Sequence, residues 1–294
     1  MKLSIVVLVY NQKDYIARTI DSIINQQSDY DFEVIIGDDC SIDGTKDIVI
    51  EYAKKYPEII KPVIRNTNLG LINNYFSLIA ECKGEYIMEC AGDDYWLPGK
   101  INKQISYMDN NPDVSMVCGG YQNVDERDNW LSENLIIPKT DFSSLFEGNQ
   151  IAALTVCFRK DIIDKYIQEV NPIEQEWKME DYPFWLWISK NGKIAFIPEI
   201  LCSYRIIDGS ISHPKAIEQK ISFESSVYDI RVFFSRNDLE KELAYRLFIG
   251  NVSMIIYRNK GFLHLVNYLY REGNMINFLL FALRKVKYKY FKIS

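Results

Sequence analysis

The first hundred residues predict an α/β domain built on a Rossmann-like, mostly parallel sheet flanked by helices. Three observations carry that reading. Apolar runs with little polar alternation recur at Leu3–Val9, Val34–Ile36 and Tyr86–Met88, the pattern of strands covered on both faces. Stretches with apolar residues at helical spacing separate them. Each run ends in polar or acidic residues: Tyr10-Asn11, Asp38-Asp39 and, a little later, Asp93-Asp94.

The elements follow in order. Leu3–Val9 is the opening strand, and Asp14–Gln27 is the first helix, with Ile16, Ile20, Ile23 and Ile24 on one face. A strand at Val34–Ile36 precedes a helix from about Asp43 to Lys55, for which Ser41 is the capping candidate. Asp43-Gly44-Thr45 reads as turn and cap. A short strand at Ile60–Ile64, a helix at Leu71–Glu81 and a strand at Tyr86–Glu89 complete a β-α-β-α-β-α-β order, which implies right-handed crossovers. Beyond it, Val114–Gly120 and Leu154–Phe158 read as strands, and Asp161–Gln168 and Phe184–Lys190 as helices. The polar stretch Asp125–Lys139 reads as a loop or hairpin. From about Lys215 the pattern turns helical, over Ile217–Phe234 and Leu239–Tyr257. The expected division is an α/β domain over 1–213 and a C-terminal helical extension over 214–294.

In open parallel sheets, ligands sit outside the carboxyl ends of the strands. Tyr10, Asp38/Asp39 and Asp93/Asp94 all fall at such ends, and their convergence argues for a site. Adjacent carboxylates after a buried strand lose water and repel each other. A hard divalent cation, Mg²⁺ or Mn²⁺, would relieve both effects. The same residues also suit a plainer reading, with Asp93 capping the next helix and Asp94 in solvent. A third acidic pair, Glu180-Asp181, lies in Met179-Glu180-Asp181-Tyr182-Pro183-Phe184-Trp185-Leu186-Trp187. By itself it reads as the acidic start of a helix whose Trp residues are core.

The N-terminal SIVVLVYN, the central VIIGDDCSIDGT, the later NTNLG and the run GEYIMECAGDDYWLP, in that order, resemble the family 2 glycosyltransferases of the GT-A fold over roughly residues 2–210. The resemblance implies transfer of a sugar from a nucleotide diphosphate, a UDP-sugar, with inversion at the anomeric carbon. The acceptor would be a glycan or lipid-linked saccharide of a bacterial surface polysaccharide. It implies that Tyr10 stacks on the base and that Asp39 accepts the imide N–H, with Asn11, Asp38, Asn68 and Asp93 also at the nucleotide. Ordinary core packing is the other reading of Tyr10, and turn or cap duty that of Asp38. Asp93 and Asp94 would hold Mn²⁺ or Mg²⁺ against the diphosphate. Ala91 stands where the first acid of the usual acid-x-acid pattern belongs, and Glu89 and Cys90 do not restore that register. Diphosphate oxygens and water would then complete the metal shell.

Asp181 resembles the general base, with Glu180 in support. Its aromatic surroundings and Pro183 would dry the pocket and raise its pKa. Arg205 and His213, in the segment after the last core strand, would meet phosphate. For His213 a surface-loop reading stands equally, since Gly and Ser flank it.

Composition bounds the alternatives. The net charge of −6, from 34 basic and 40 acidic residues, disfavours a nucleic-acid binder with a broad basic face. The content of 20 Tyr, 15 Phe and 5 Trp suits a large core and sugar-stacking surfaces. Six cysteines without C-x-x-C spacing fit free thiols in a reducing cytoplasm. The immediate start of a core strand predicts no signal peptide.

Met275–Leu283 is too short an apolar stretch to cross a bilayer. With the basic, aromatic Arg284–Lys292 it reads either as a peripheral contact with the inner face of the plasma membrane, through 275–292, or as a docked helix with a solvated end. Two other functions use the same residues. A nucleotidyltransferase would need a Gly-rich basic loop where Tyr10–Asp14 stands, and a non-catalytic glycan-binding or scaffold relative has only Ala91 in its favour.

Overall fold

The unbroken apolar run Leu3–Val9 is strand β1, buried at every residue but Leu8. The chain continues through α1 (Ile16–Ile24), β2 (Phe32–Asp38), α2 (Thr45–Lys55), β3 (Ile60–Ile64), α3 (Leu71–Glu81) and β4 (Tyr86–Ala91). This computed structural model describes residues 1–210 and 214–271. The chain divides into two compact units, Met1–Ile207 and Asp208–Ser294.

Two of these helices are shorter than the sequence predicts. α1 stops at Ile24 because Gln26 leaves the helix: its side chain donates to the Leu97 carbonyl at 2.9 Å and accepts from the Gly99 N–H at 3.1 Å. α2 starts at Thr45 behind Gly44, whose φ of +104° suits a residue without a Cβ. Ser41 is therefore not its cap. The Ser41 hydroxyl instead accepts the Asn11 N–H at 2.9 Å, joining the loop after β1 to the loop after β2.

The second half of the unit comprises β5 (Tyr95–Trp96), α4 (Lys100–Asn110), β6 (Met116–Val124), β7 (Trp130–Asn134), α5 (Phe142–Glu147), β8 (Cys157–Arg159), α6 (Lys160–Val170), α7 (Asp181–Asn191) and β9 (Ile194–Arg205). The predicted strand over 154–158 is a 3₁₀ turn at Ala153–Thr155 followed by β8. The polar stretch after residue 124 forms a hairpin, β7 pairing with β6.

The sheet order is β3-β2-β1-β4-β8-β6-β9-β5, with β7 beside β6. β1 to β4 pair in parallel, as do β6 and β9, while β8 and β5 run antiparallel to their neighbours. One sheet face, from Ile5, Val7, Ile36, Met88 and Cys90, packs on Ile16, Ile20 and Ile23 of α1 and Ile101, Ile105 and Met108 of α4. The residues between them, such as Val6, Ile35 and Ile87, are equally buried on the opposite face. There α3 packs so closely that a Cβ on Gly37 would lie 2.5 Å from Leu78 Cδ1.

In the second unit α8 (Ile217–Phe234), α9 (Asp238–Lys260) and α10 (Phe262–Arg271) share a core of Ile249, Val252, Ile256, Leu265 and Leu269. α9 is capped by Asn237, whose side chain accepts the Glu240 N–H at 3.0 Å.

Candidate active site

Parallel register brings three strand ends together. Val9 lies opposite Asp38, and Leu8 opposite Ala91. The ladder continues past the strands: the Asp39 N–H donates to the Val9 carbonyl at 3.0 Å and the Gly92 N–H to the Leu8 carbonyl at 2.9 Å. Tyr10, Asp39 and the turn carrying Asp93 and Asp94 are thus held on one sheet edge by main-chain bonds.

Tyr10 is 49% exposed, so its ring offers a face to a ligand and is not core. Asn11 adopts φ +52° and its side chain accepts the Ile42 N–H at 3.0 Å. Asp38 is fully buried and turns inward. One oxygen accepts the Ser41 N–H at 3.0 Å, and the other has no hydrogen-bond partner among the described residues. Asp39 accepts from the Leu69 and Gly70 N–H groups at 2.7 and 2.9 Å, while Asn68 donates to its carbonyl at 3.1 Å. Its carboxylate therefore organises the Asn68–Gly70 loop beside Tyr10, and each oxygen keeps a second lone pair.

The Asp93–Asp94 turn is clamped from below. Gly92 is obligatory there, since a Cβ would come within 2.6 Å of Gln12 Oε1 and 2.8 Å of Val9 Cγ2. The Thr19 hydroxyl meets the carbonyls of Gly92 and Asp94 at 2.9 and 2.6 Å. Arg205, at the end of β9, gives its N–H to Asp94 Oδ1 at 2.7 Å and its Nε to the Asp93 carbonyl at 2.8 Å. The rest of its guanidinium holds the Asp125 carbonyl at 2.9 Å and Asp128 Oδ1 at 2.5 Å. The phosphate role expected of Arg205 is not what these bonds serve. The residue is 4% exposed and braces the acidic turn. Arg18, by contrast, keeps half its side chain exposed while pairing with Asp128 at 2.7 Å and lying 4.0 Å over the Tyr95 ring.

Burial pushes both carboxyls of this turn up, Asp94 well above the usual range, with repulsion from Asp93 its second cause. The Arg205 main chain and charge pull Asp94 back down, and a Gln12 hydrogen bond does so for Asp93. Two close carboxylates of this kind can hold a hard divalent cation. Among the described residues there is no group of three or more metal-ligating side chains.

Glu180 immediately precedes α7 and Asp181 opens it. Asp181 accepts the Tyr182 N–H at 2.6 Å and the Asn149 amide at 3.3 Å. Among the described residues no basic side chain is paired with either acid. Burial and then mutual repulsion raise Glu180 to about 8, and burial raises Asp181 too. β4 ties this pair to the rest, because Glu89 within the strand feels the charges of both while the strand's end carries Asp93 and Asp94.

His213 and the segment 275–292 lie outside the described residues. Sequence reasoning missed Gln12, Thr19, Asn149 and Asp128, which meet the acids only through tertiary contacts and carry no motif of their own.

Residues 4–167 match the family model described as "Glycosyl transferase family 2". An uncharacterized protein of Mycobacterium tuberculosis is 32% identical over 229 residues, covering 76% of this chain and 64% of its own length; the match thus spans under two-thirds of that relative. TuaG of Bacillus subtilis, named for a glycosyltransferase role in teichuronic acid biosynthesis, is 29% identical, covering 72% of this chain and 82% of TuaG. Among solved structures, S. aureus TarS 1–349 in complex with UDP-GlcNAc superposes with a TM-score of 0.63 at 18% identity, covering 88% of this chain and 73% of that one. The Pyrobaculum calidifontis mannosyltransferase PcManGT, in complex with GDP-Man and Mn²⁺, gives 0.62 at 14% identity, covering 97% and 84%. These two structures establish the shared fold.

Proposed function

The chain belongs to glycosyl transferase family 2, and on that premise we propose that it is an inverting, metal-dependent transferase that moves a sugar from a UDP-sugar to a glycan or lipid-linked acceptor of a cell-surface polysaccharide. The observation that carries this reading is the presence of two acid sites: a braced pair at the end of β4 and an unbraced, half-buried pair at the start of α7.

The nucleotide lies across the strand ends. Tyr10 offers an exposed ring to the base, and Asp39 has a free lone pair on each oxygen for the imide N–H of uracil. Asn11, Asn68 and the buried Asp38 keep the surrounding loops in shape. Asp93 and Asp94 would hold Mn²⁺ or Mg²⁺, which when bound neutralises charge on the departing diphosphate. Asp181 takes the proton of the acceptor hydroxyl as that oxygen attacks the anomeric carbon from the face opposite the phosphate. The bond from that carbon to the phosphate oxygen breaks with its electron pair going to the nucleoside diphosphate, and the configuration inverts. Glu180 shares the pair's proton and keeps Asp181 basic. Arg205 acts through the acidic turn as a positioning residue. For His213 we keep the phosphate-facing role.

The hairpin residues Trp130, Leu131, Leu135, Ile136 and Ile137 are exposed and support an acceptor with an apolar part, such as a lipid-linked saccharide. Among the described residues no helix is long and apolar enough to cross a membrane. The proposed attachment is peripheral, to the inner face of the plasma membrane through 275–292.

The test is thermal denaturation with UDP, dTDP, GDP and CDP, each with Mn²⁺ and with EDTA, followed by a donor screen with the base that shifts the midpoint. Nucleotide at about 100 times its Kd adds about 2.7 kcal/mol, a shift of several degrees. A UDP-selective shift abolished by EDTA is the expected result. No shift with any nucleotide would favour a non-catalytic relative, with Ala91 the first residue to restore to Asp.

A further inference from the structure

Glu89 lies in the middle of β4, four residues before Asp93, and has no task in the transfer step. It is 4% exposed, and neither carboxyl oxygen accepts a hydrogen bond of ordinary geometry among the described residues, although the Tyr75 hydroxyl approaches closely enough to favour its charged form. A buried carboxylate with so little donor support does not stay charged; it takes up a proton. Strand periodicity puts Glu89 on the same face as Ala91. The carboxyl absent at 91 is thus present one step deeper, on the side that faces the second acid pair.

The groups facing it are Tyr75 from α3, Glu180 and Asp181 from α7, and Lys100 from α4. Tyr166 of α6 faces the same acid pair, and its buried hydroxyl is also without a hydrogen-bond partner among the described residues. Lys100 is not a counter-ion. Its ammonium donates to Gln104 Oε1 at 2.5 Å and the Val156 carbonyl at 3.3 Å, and it lies 4.4 Å over the Trp96 ring. Burial, and next the charge of Glu180, push Glu89 well above the usual carboxylate range.

Three mutually repelling carboxyls, Glu89 buried and Glu180 and Asp181 half-buried, cannot all ionise freely, and their burial and donors set the order. Asp181 accepts two hydrogen bonds, so it ionises most readily. Glu89 has only the approach of the Tyr75 hydroxyl and the deepest burial, and it ionises last. We propose that Glu89 is a positioning residue for the acid pair: it works as a neutral carboxylic acid behind Glu180 and Asp181, so that the negative charge stays on the pair that meets the acceptor. This rests on the assignment of Asp181 as base.

The experiment compares wild type, Glu89→Gln and Glu89→Leu in the full chain, by thermal denaturation from about pH 5 to pH 9 and by the pH profile of transfer. A carboxyl that stays protonated in the fold but ionises when unfolded, near its ordinary 4.5, binds more protons in the native state. Wild-type stability therefore falls as pH rises above that value, until the folded group itself ionises. Glu89→Gln lacks this loss, so its midpoint should gain on wild type steadily with pH. A flat or falling difference would mean that Glu89 is charged in the fold, and would overturn the proposal.

In the transfer profile, Glu89→Leu should move the acid limb upward by about half a pH unit or more at unchanged donor KM, and Glu89→Gln should rescue it. A Glu89→Leu limb superimposed on wild type, or a Glu89→Gln limb displaced downward, would each overturn it as well. If Glu89→Leu does not fold, Glu89→Asp, which withdraws the carboxyl by one methylene, takes its place under the same criteria. The stability arm does not involve the base, so retained transfer by Asp181→Asn would reject the base assignment alone.

Discussion

The two acid pairs, Asp93–Asp94 and Glu180–Asp181, are both adjacent in sequence and both partly withdrawn from water, yet their surroundings differ. Under the first lies the buried Arg205, bonded to the Asp93 carbonyl and to Asp94 Oδ1. Under the second, among the described residues, no cation is paired with either acid; Asp181 is met by the Asn149 amide and the Tyr182 main-chain N–H. A braced pair is held in fixed positions, which suits a bound cation that would favour its charged form. An unbraced pair shares its protons, which suits proton transfer. The difference teaches that acid-rich motifs of similar appearance are told apart by what lies behind them.

The largest effect that would break this contrast is on chemistry. Asp181→Asn should lower kcat by about 100- to 10,000-fold while leaving Mn²⁺-dependent nucleotide binding, read by thermal shift, unchanged. Transfer near the wild-type rate would move the base elsewhere.

The pH profile comes next. A base works only after losing its proton, and raised pKa values put that loss at higher pH. The acid limb of kcat/KM should therefore lie above the usual carboxylate range, following the first ionisation of the coupled pair, while Glu180 keeps its proton up to about 8. A limb near pH 4 would show that the pair is not dried.

Asp94→Asn should show the opposite pattern to Asp181→Asn. Nucleotide affinity with Mn²⁺ should fall by about 10- to 100-fold, and the residual transfer should keep its pH limb. A displaced limb would merge the two sites into one.

The smallest effect belongs to the brace. Arg205→Lys keeps a charge but forfeits the fork that spans Asp93, Asp125 and Asp128, at a cost of about 1–3 kcal/mol, visible as a midpoint lowered by several degrees. The pH limb should not move. If nucleotide affinity collapsed with the midpoint unchanged, Arg205 would be a direct phosphate ligand after all.

Much of the site was legible because its residues sit at strand ends, and strand ends are local features. Tyr10 and Asp39 follow apolar runs, Asp93 and Asp94 follow another, and parallel pairing alone carries them to one edge. Arg205 was legible as a functional residue but not as a brace. Its partners are 112 positions away in β4's turn and 77–80 away in the β6–β7 hairpin, and no periodicity announces such meetings. Ser41 had the composition and position of a helix cap, yet Gly44 takes the cap position and Asn11 takes the Ser41 hydroxyl. Glu89 looked out of register beside Ala91; only the packing of α3 and α7 over that sheet face makes it a neighbour of the acid pair.

The order of strands and helices, the parallel half-sheet and the identity of the acids at its edge follow from the amino-acid sequence itself, because hydrophobic periodicity and strand-end position depend on near neighbours in the chain. The protonation and task of each acid were decided by tertiary structure. Charge state depends on burial and on donors brought in by packing: the Arg205 main chain for Asp94, Asn149 for Asp181, and only the approach of the Tyr75 hydroxyl for Glu89.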